Sequence, residues 1–440
     1  MQPFSALVAK PRFREAVANL GWLIADRAMR LVFTVLVGFW VARYLGPSQF
    51  GALNYALAVV GFGLVLAEGG VDAVVRRELI RTPERTPSLL AAVWRLRLSL
   101  GAACYLLVAA WAAWGRESSA EAGLLAIVGL LLFQPALAVA DLWLQANLRA
   151  RTSVLAQLSA LAVGAATRIA LIVGHAPLWV FGAAAVGEAW LAAVVLTLWA
   201  RRAGVRLAGD QETGELVRKL ARESWPLLLS GVAISVYMRI DIVMLRQMVG
   251  ESAAGIYAAA VRISELGYFV PMALASSVLP ALLQARARGE AAYGERFQRY
   301  LDLSAALAYG FAVPLAVAAP WLVRLAYGAA FAPAAAVLVV HIWAAIFVFL
   351  GVARGQWLVN ERLQRFYLAA TVAGAGVNIV LNLLFIPRWG GVGSAWATVI
   401  SQALAAWASS YFHPAVRATA ARQTRALLLP FTGWRYFHRP

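Results

Sequence analysis

The stretch PAAAVLVVHIWAAIFVFLGVARGQWL at residues 333–358 contains no Asp, Glu, Lys or Arg before Arg354. An α-helix needs about 20 predominantly apolar residues to cross the hydrocarbon core of a bilayer. The run is continuously apolar, whereas the strands of a membrane β-barrel alternate between apolar and polar residues. This stretch therefore predicts a transmembrane helix.

Similar apolar runs, separated by short polar joints, occur throughout the 440 residues. The chain is 62% hydrophobic and only 14% charged, against about 45–50% and about 25% in soluble domains, which excludes a water-soluble enzyme. Pro271 and Pro280 predict that the eighth span kinks or continues along the interface. The sequence thus predicts an all-α polytopic membrane protein with about twelve spans, near 20–42, 52–75, 94–114, 122–147, 152–174, 177–200, 223–245, 254–279, 300–326, 333–358, 366–386 and 391–413.

The basic residues are distributed unevenly between the two sides of these spans. Of the 39 Lys and Arg residues, 28 fall in the N-terminal segment, the even-numbered joints and the tail, 5 in the odd-numbered joints and 6 within spans. Cytoplasmic loops of membrane proteins retain Lys and Arg, so both termini are expected in the cytoplasm. The net charge of +18 is therefore interpreted as topological, and nucleic acid is not expected as a partner.

The sequence offers no catalytic constellation. The single cysteine, Cys104, excludes an intrachain disulfide, and the four histidines are scattered without an HExxH, Walker A or GxSxG motif. Neither an enzymatic activity, a metal site nor a cofactor is predicted.

An internal repeat suggests how the spans are organised. Gly46 and Gly51 recur at the same spacing as Gly250 and Gly255, and Trp143-Leu144 recurs as Trp357-Leu358. An even number of spans separates the copies, so the halves are predicted to be parallel six-helix bundles related by a pseudo-twofold axis along the membrane normal. The predicted segments are an N-terminal bundle at 1–200, a cytoplasmic linker at 201–222, a C-terminal bundle at 223–413 and a cytoplasmic basic tail at 414–440.

Two stretches carry a family resemblance: ARYLGPSQFGALNYA at 42–56 and NIVLNLLFIPRWGGVGSAWAT at 378–398. They resemble the polysaccharide and oligosaccharide flippases of the multidrug/oligosaccharidyl-lipid/polysaccharide (MOP) exporter superfamily. The resemblance implies a MATE-like fold in the bacterial inner membrane. It also implies translocation of undecaprenyl-diphosphate-linked oligosaccharide for O-antigen, capsule or exopolysaccharide assembly, by alternating access.

The resemblance further implies partners and leaves alternatives open. Its substrate would be a lipid-linked oligosaccharide in contact with membrane lipid, and a glycan polymerase with its chain-length machinery is a candidate partner. The alternatives are a cation-coupled multidrug exporter of the same superfamily, a lipid II flippase and a membrane glycan polymerase.

Ionisable residues within spans are costly and usually face a bundle interior or a wet cavity. Guanidinium groups suit a diphosphate, and amides suit sugar hydroxyls. Interhelical pairing and helix packing are the competing interpretations. The predicted substrate-binding residues are Arg27, Arg30, Arg239, Arg262, Asn378 and Asn382.

Carboxylates within spans are the second group of candidates. In a membrane interior a carboxylate can bind a coupling ion or proton, or form an ion pair that closes a gate. The predicted gating or ion-coupling residues are Asp26, Glu68, Asp72, Asp241 and Glu265.

Overall fold

The computed structural model of the chain describes residues 11–114, 118–147, 150–205 and 213–432, without the side chains of 11–32, 34, 150, 226, 431 and 432. No strand occurs in these described ranges. The α-helices are α1 (Pro11–Glu68), α2 (Asp72–Arg81), α3 (Thr86–Trp114), α4 (Ser119–Gly129), α5 (Gln134–Leu137), α6 (Val139–Ala146), α7 (Ala150–Val173), α8 (Leu178–Arg202), α9 (Thr213–Met248), α10 (Glu251–Ser264), α11 (Phe269–Ala287), α12 (Glu290–Tyr327), α13 (Ala334–His341), α14 (Ala344–Asn360), α15 (Gln364–Ala406), α16 (Arg417–Leu427) and α17 (Leu429–Thr432). Short 3₁₀ turns lie at Pro83–Arg85, Leu130–Phe133, Glu265–Tyr268, Ala329–Phe331 and Ala408–Phe412.

Ten helical segments of the described chain are long and apolar enough to cross a membrane. The first and last of them, Val35–Arg81 and Gln364–Phe412, each cover two predicted spans. The backbone leaves helical geometry at Gly46 and at Gly390, close to where the sequence predicts a joint between spans. The predicted all-helical polytopic fold is confirmed.

Several span boundaries differ from the predicted ones. Helix α3 begins at Thr86, eight residues before the predicted start of the third span, so Arg97, which was counted among the basic residues of the preceding joint, lies well inside a helix. The break in the eighth span falls at Glu265–Tyr268, because Pro271 lacks the N–H that would continue the preceding helix and restricts the residue before it. Pro280 lies inside α11 without a break.

The contacts of the chain divide it into two compact units. One comprises the chain up to Leu45 with Ala52–Ser235, and the other comprises Gly46–Gly51 with the chain from Val236 onward. The boundary between the two units therefore lies inside α9, between Ser235 and Val236. The bundles expected at 1–200 and 223–413 and the linker at 201–222 stay predictions.

Each unit has its own apolar core. In the first unit, α2, α3 and α6 contribute Val75, Leu90 and Val139 to a buried cluster. In the second unit, α12 and α14 contribute Phe297 and Phe349 to a larger one. These cores position the polar side chains described below.

The repeated glycines meet inside the second unit. A Cβ atom on Gly51 would collide with the backbone of Glu251 and Gly255, and one on Gly255 would collide with the backbone of Pro47 and Gly51. Only glycine permits such a close approach of two backbones. The two copies of the sequence repeat therefore contact each other through these glycines.

Left-handed backbone at the preceding glycines allows this contact to form. Gly46 has a φ of 69° and Gly250 a φ of 121°, values that residues with a Cβ rarely adopt. Ser48 donates a hydrogen bond of 2.6 Å to Oε2 of Glu251 at the same contact.

Candidate functional site

A buried carboxylate forms the centre of a polar cluster in the second unit. Asp241 lies on α9 and is 4% exposed. Its Oδ2 accepts hydrogen bonds of 2.7 Å from the hydroxyl groups of Tyr257 and Thr398, and its Oδ1 accepts one of 2.5 Å from Nδ2 of Asn382. These residues, together with Asn378, are called the Asp241 cluster.

Helix α15 supplies most of the cluster from the two sides of its break. Asn378 and Asn382 lie one helical turn apart, and Nδ2 of Asn382 also donates to Oδ1 of Asn378 at 3.0 Å. Beyond Gly390 the helix changes direction, which brings Thr398 and Ser401 back to the first half. Nδ2 of Asn378 donates to the Ser401 hydroxyl at 3.4 Å.

Helix α10 closes the cluster with Tyr257, whose side chain is almost completely buried. The Tyr257 ring packs edge-on against His341, with 5.9 Å between the ring centroids. Nδ1 of His341 lies 2.9 Å from the hydroxyl of Ser264. The orientation of Tyr257 is therefore fixed by packing as well as by its hydrogen bond.

The cluster holds a carboxylate with neutral partners only. In the part of the chain that the structure describes, no Lys or Arg forms an ion pair with Asp241, and the buried Oδ1 of Asn382 has no hydrogen-bond partner. Hydroxyl and amide groups can either donate to a carboxylate or present oxygen to a cation. Hard cations prefer carboxylate, carbonyl and hydroxyl oxygens, so the oxygens of the cluster have the chemistry that suits a proton or a hard cation.

The structure thus joins residues to which the sequence assigned different roles. Asp241 was predicted for ion coupling, and Asn378 and Asn382 for substrate binding, yet all three belong to one buried network. Among the described residues, no group of three or more His, Cys, Asp or Glu side chains is placed to hold a metal ion.

Three other predicted residues lie in the same unit. Glu265, in the 3₁₀ turn after α10, is half-buried and forms no ion pair with Arg239 or Arg262 among the described residues. Arg239 is exposed although it lies only two residues from Asp241, and the Arg262 guanidinium lies 5.7 Å from the centre of the Phe50 ring. Arg239 and Asp241 therefore point to different surroundings.

In the first unit, a buried guanidinium organises the predicted gating residues. Arg97, 4% exposed, forms an ion pair with Asp72 and donates to the backbone oxygens of Glu68 at 3.3 Å and Pro135 at 3.1 Å. The Asp72 side chain remains 47% exposed. Arg97 was missed as a site residue because its position near the helix start placed it among the basic residues of a joint.

Another pair of charges lies between α7 and α8. Arg168 contacts Glu188 at 2.5 Å, and each side chain is about one-fifth exposed, at 22% and 20%. A Cβ on Gly164 would collide with the Glu188 carboxylate, so glycine there leaves room for the pair. Asp26, Arg27 and Arg30 lie on α1, and their side chains are outside the described part of the structure.

Membrane-length helices that enclose ionisable side chains are typical of membrane transporters. A family model described as polysaccharide biosynthesis protein matches residues 40–337. The chain belongs to this family, and the resemblance inferred from 42–56 and 378–398 is confirmed. No curated protein matches the chain.

Solved structures of the MOP superfamily share the fold. Lipid II flippase MurJ, in an inward closed conformation, aligns with a TM-score of 0.72 and 13% identity, covering 96% of this chain and 94% of that one. An inward-facing multidrug resistance MATE family transporter aligns with a TM-score of 0.68 and 16% identity, covering 90% and 96%. A MOP superfamily transporter from Pyrococcus furiosus aligns with a TM-score of 0.59 and 15% identity, covering 98% and 99%. At these identities the likeness establishes the fold alone.

Proposed function

We propose that the protein is an ion-coupled flippase that translocates an undecaprenyl-diphosphate-linked oligosaccharide across the bacterial inner membrane. The family match to polysaccharide biosynthesis proteins supports a glycan substrate. The fold shared with a lipid II flippase and with MATE transporters supports translocation rather than catalysis. Both termini would lie in the cytoplasm, in line with the distribution of Lys and Arg.

The Asp241 cluster is the observation that carries the coupling part of the proposal. A fully desolvated carboxylate is costly unless it is paired with a cation or protonated. Here its partners are the neutral groups of Tyr257, Thr398 and Asn382. Binding and release of a proton or monovalent cation at Asp241 would therefore change the balance of forces between α9, α10 and α15.

Substrate recognition is assigned to arginines. Arg239 and Arg262, which lie in the same unit as Glu265, are proposed to contact the diphosphate through their guanidinium groups. Arg27 and Arg30 are proposed as a further contact on α1, with Asp26, Glu68 and Asp72 as gating candidates.

Partners follow from the same chemistry. The product of translocation would be consumed by a glycan polymerase with its chain-length machinery, and the polyprenyl tail would stay in contact with membrane lipid. Nucleic acid is not proposed as a partner.

The test is deletion of the gene in its native host, with lipid-linked oligosaccharides and surface glycan measured by mass spectrometry. Accumulated lipid-linked repeat units with lost surface polymer are expected. Restoration by the wild-type gene and by Glu295→Gln, but not by Asp241→Asn, would support ion coupling at Asp241. Glu295 is an exposed carboxylate paired with Arg299 and serves as the matched control.

Other outcomes would point to the alternatives. Unchanged intermediates with greater drug sensitivity would indicate a multidrug exporter, and accumulated lipid II would indicate a lipid II flippase. Translocated but unpolymerised repeat units in the outer leaflet would indicate a polymerase. Full restoration by Asp241→Asn would remove the coupling role while leaving the flippase assignment intact.

A further inference from the structure

Helix α16 follows the last membrane segment and lies in the tail that the sequence predicts to be merely basic. Its Thr419, Ala420, Gln423 and Ala426 are buried, whereas Arg417 is exposed. Ala426 belongs to the same apolar cluster as residues of α12 and α14. The helix is therefore docked on the second unit along one face.

A buried arginine stabilises the segment before α16. Arg354 on α14 is 2% exposed and donates to the hydroxyls of Ser409 at 2.9 Å and Ser410 at 2.7 Å, and to the backbone oxygen of Ala405 at 2.6 Å. No carboxylate pairs with Arg354 among the described residues. The negative end of the α15 dipole, which terminates at Ala406, compensates the buried charge instead.

Gln423 extends this network into α16. Its Oε1 accepts a hydrogen bond of 3.2 Å from Ser410, and its Nε2 donates to the backbone oxygen of Ala406 at 2.9 Å. Gln423 is fully buried. The same hydroxyl of Ser410 thus links the Arg354 guanidinium to the docked helix.

Side chains of α12 hold the other side of α16 through its backbone. Nε2 of Gln298 donates to the backbone oxygen of Arg422 at 3.2 Å, and the Tyr309 hydroxyl donates to that of Leu427 at 2.9 Å. An 11-residue helix is marginal in water by itself. These contacts stabilise a helix that would otherwise unfold.

We propose that α16 is a strap that ties the ends of α12, α14 and α15 together, so that they move as one body, and that Arg354 is its positioning residue. The Lys and Arg distribution assigns these ends to the cytoplasmic side. The strap does not depend on which substrate the protein carries. Loss of Arg354 undocks α16, and the ends of the three helices then move separately.

The test measures labelling of single cysteines by a membrane-impermeant maleimide in inside-out vesicles, with Cys104 replaced by Ala. Ala420→Cys, on the buried face, is expected to resist labelling, whereas Ala421→Cys, on the exposed face, is labelled freely. Arg354→Met is expected to raise the labelling rate of Ala420→Cys about ten- to hundredfold, because hydrogen bonds to a buried charge are lost. It is also expected to reduce surface glycan at equal protein level.

Arg388→Met is the matched control. Arg388 lies on α15 and is exposed, and among the described residues it donates only within its own helix, to the Leu384 backbone oxygen, so labelling should not change. If Arg354→Met does not accumulate in the membrane, Gln423→Leu removes the same link from the α16 side. Continued protection of Ala420→Cys in a folded Arg354→Met or Gln423→Leu protein would overturn the proposal. Increased labelling with unchanged surface glycan would overturn the mechanical role of the strap.

Discussion

Near the predicted site residues, each unit buries one charged side chain, and the two charges are paired differently. In the first, the Arg97 guanidinium pairs with Asp72, a carboxylate that is still 47% exposed. In the second, Asp241 is buried together with neutral donors and without a cationic partner in the described chain. The first arrangement is a completed ion pair, whereas the second has no cation beside the carboxylate in the described chain. Coupling is therefore expected in the second unit.

The internal repeat allows the two units to be compared at corresponding positions. Gly46 and Gly250 correspond, and nine residues before them lie Val37 and Asp241. Val37 is 8% exposed and Asp241 is 4% exposed, so both positions are interior. The two copies share the glycine contact but differ in whether the interior position carries a charge.

Among the substitutions considered, Asp241→Asn is expected to cause the largest loss of export. The substitution removes the charge while nearly preserving the shape, so an ion no longer changes the cluster, and export should fall by about ten- to hundredfold. Surface glycan per membrane-inserted protein is the measurement. Equal export by wild type and Asp241→Asn would show that the two buried charges do not differ in function.

Arg97→Met is expected to act mainly on stability. It removes the Arg97 hydrogen bonds to two backbone oxygens and leaves Asp72 with only its ion pair of 3.8 Å to Arg76, at a cost of about 2–3 kcal/mol. The unfolding temperature in detergent should fall, and Asp72→Ala in the same chain should add little further loss, because its pair with Arg97 is already gone. Export per folded molecule should fall less than in Asp241→Asn, because Arg97 positions the gating candidate Asp72 but is not proposed to bind an ion. A loss of export at unchanged stability would instead make Arg97 a transport residue.

The shared glycine contact can be broken without altering either charge. Gly255→Ala forces a methyl group against the backbone of Pro47 and should destabilise the protein by about 1–3 kcal/mol. Gly123→Ala is the control, because a Cβ there has open space and helices favour alanine. Equal thermal stability of the two variants would contradict the close contact.

Tyr257→Phe is expected to have the smallest effect. It removes one of the three hydrogen bonds to Asp241 and leaves the ring packed against His341, at a cost of about 1 kcal/mol. Export measured across sodium concentration and pH should shift modestly, in contrast to the loss in Asp241→Asn. An effect as large as that of Asp241→Asn would make the Tyr257 hydroxyl an equal partner in coupling.

The parts that sequence reasoning predicted correctly depend on local composition and spacing. Apolar length identified the spans, and the stretches at 42–56 and 378–398 identified the family. The prediction treated Asp241, Asn378 and Asn382 as separate functional candidates. Their common network could not be read from the sequence, because 141 residues separate Asp241 from Asn382.

Other residues were missed for the same reason. Arg97 resembled a basic joint residue, yet helix α3 begins early enough to bury it. Arg354 was not among the predicted site residues, yet its side chain is fully buried and is held by the end of α15. The tail beyond residue 413 gave little sign of docking, since α16 is polar in composition and its buried face includes Thr419 and Gln423.

By itself, the sequence determined that the chain is a helical membrane protein of the polysaccharide biosynthesis family, because transfer of apolar runs into lipid depends on length and composition alone. The sequence also identified the repeated glycines by their equal spacing. Only the tertiary structure decided which charges are paired, which ones have only neutral partners and which tail residues are buried. Those outcomes depend on side-chain contacts between helices far apart in the chain, and the cost of a buried charge is set by those contacts.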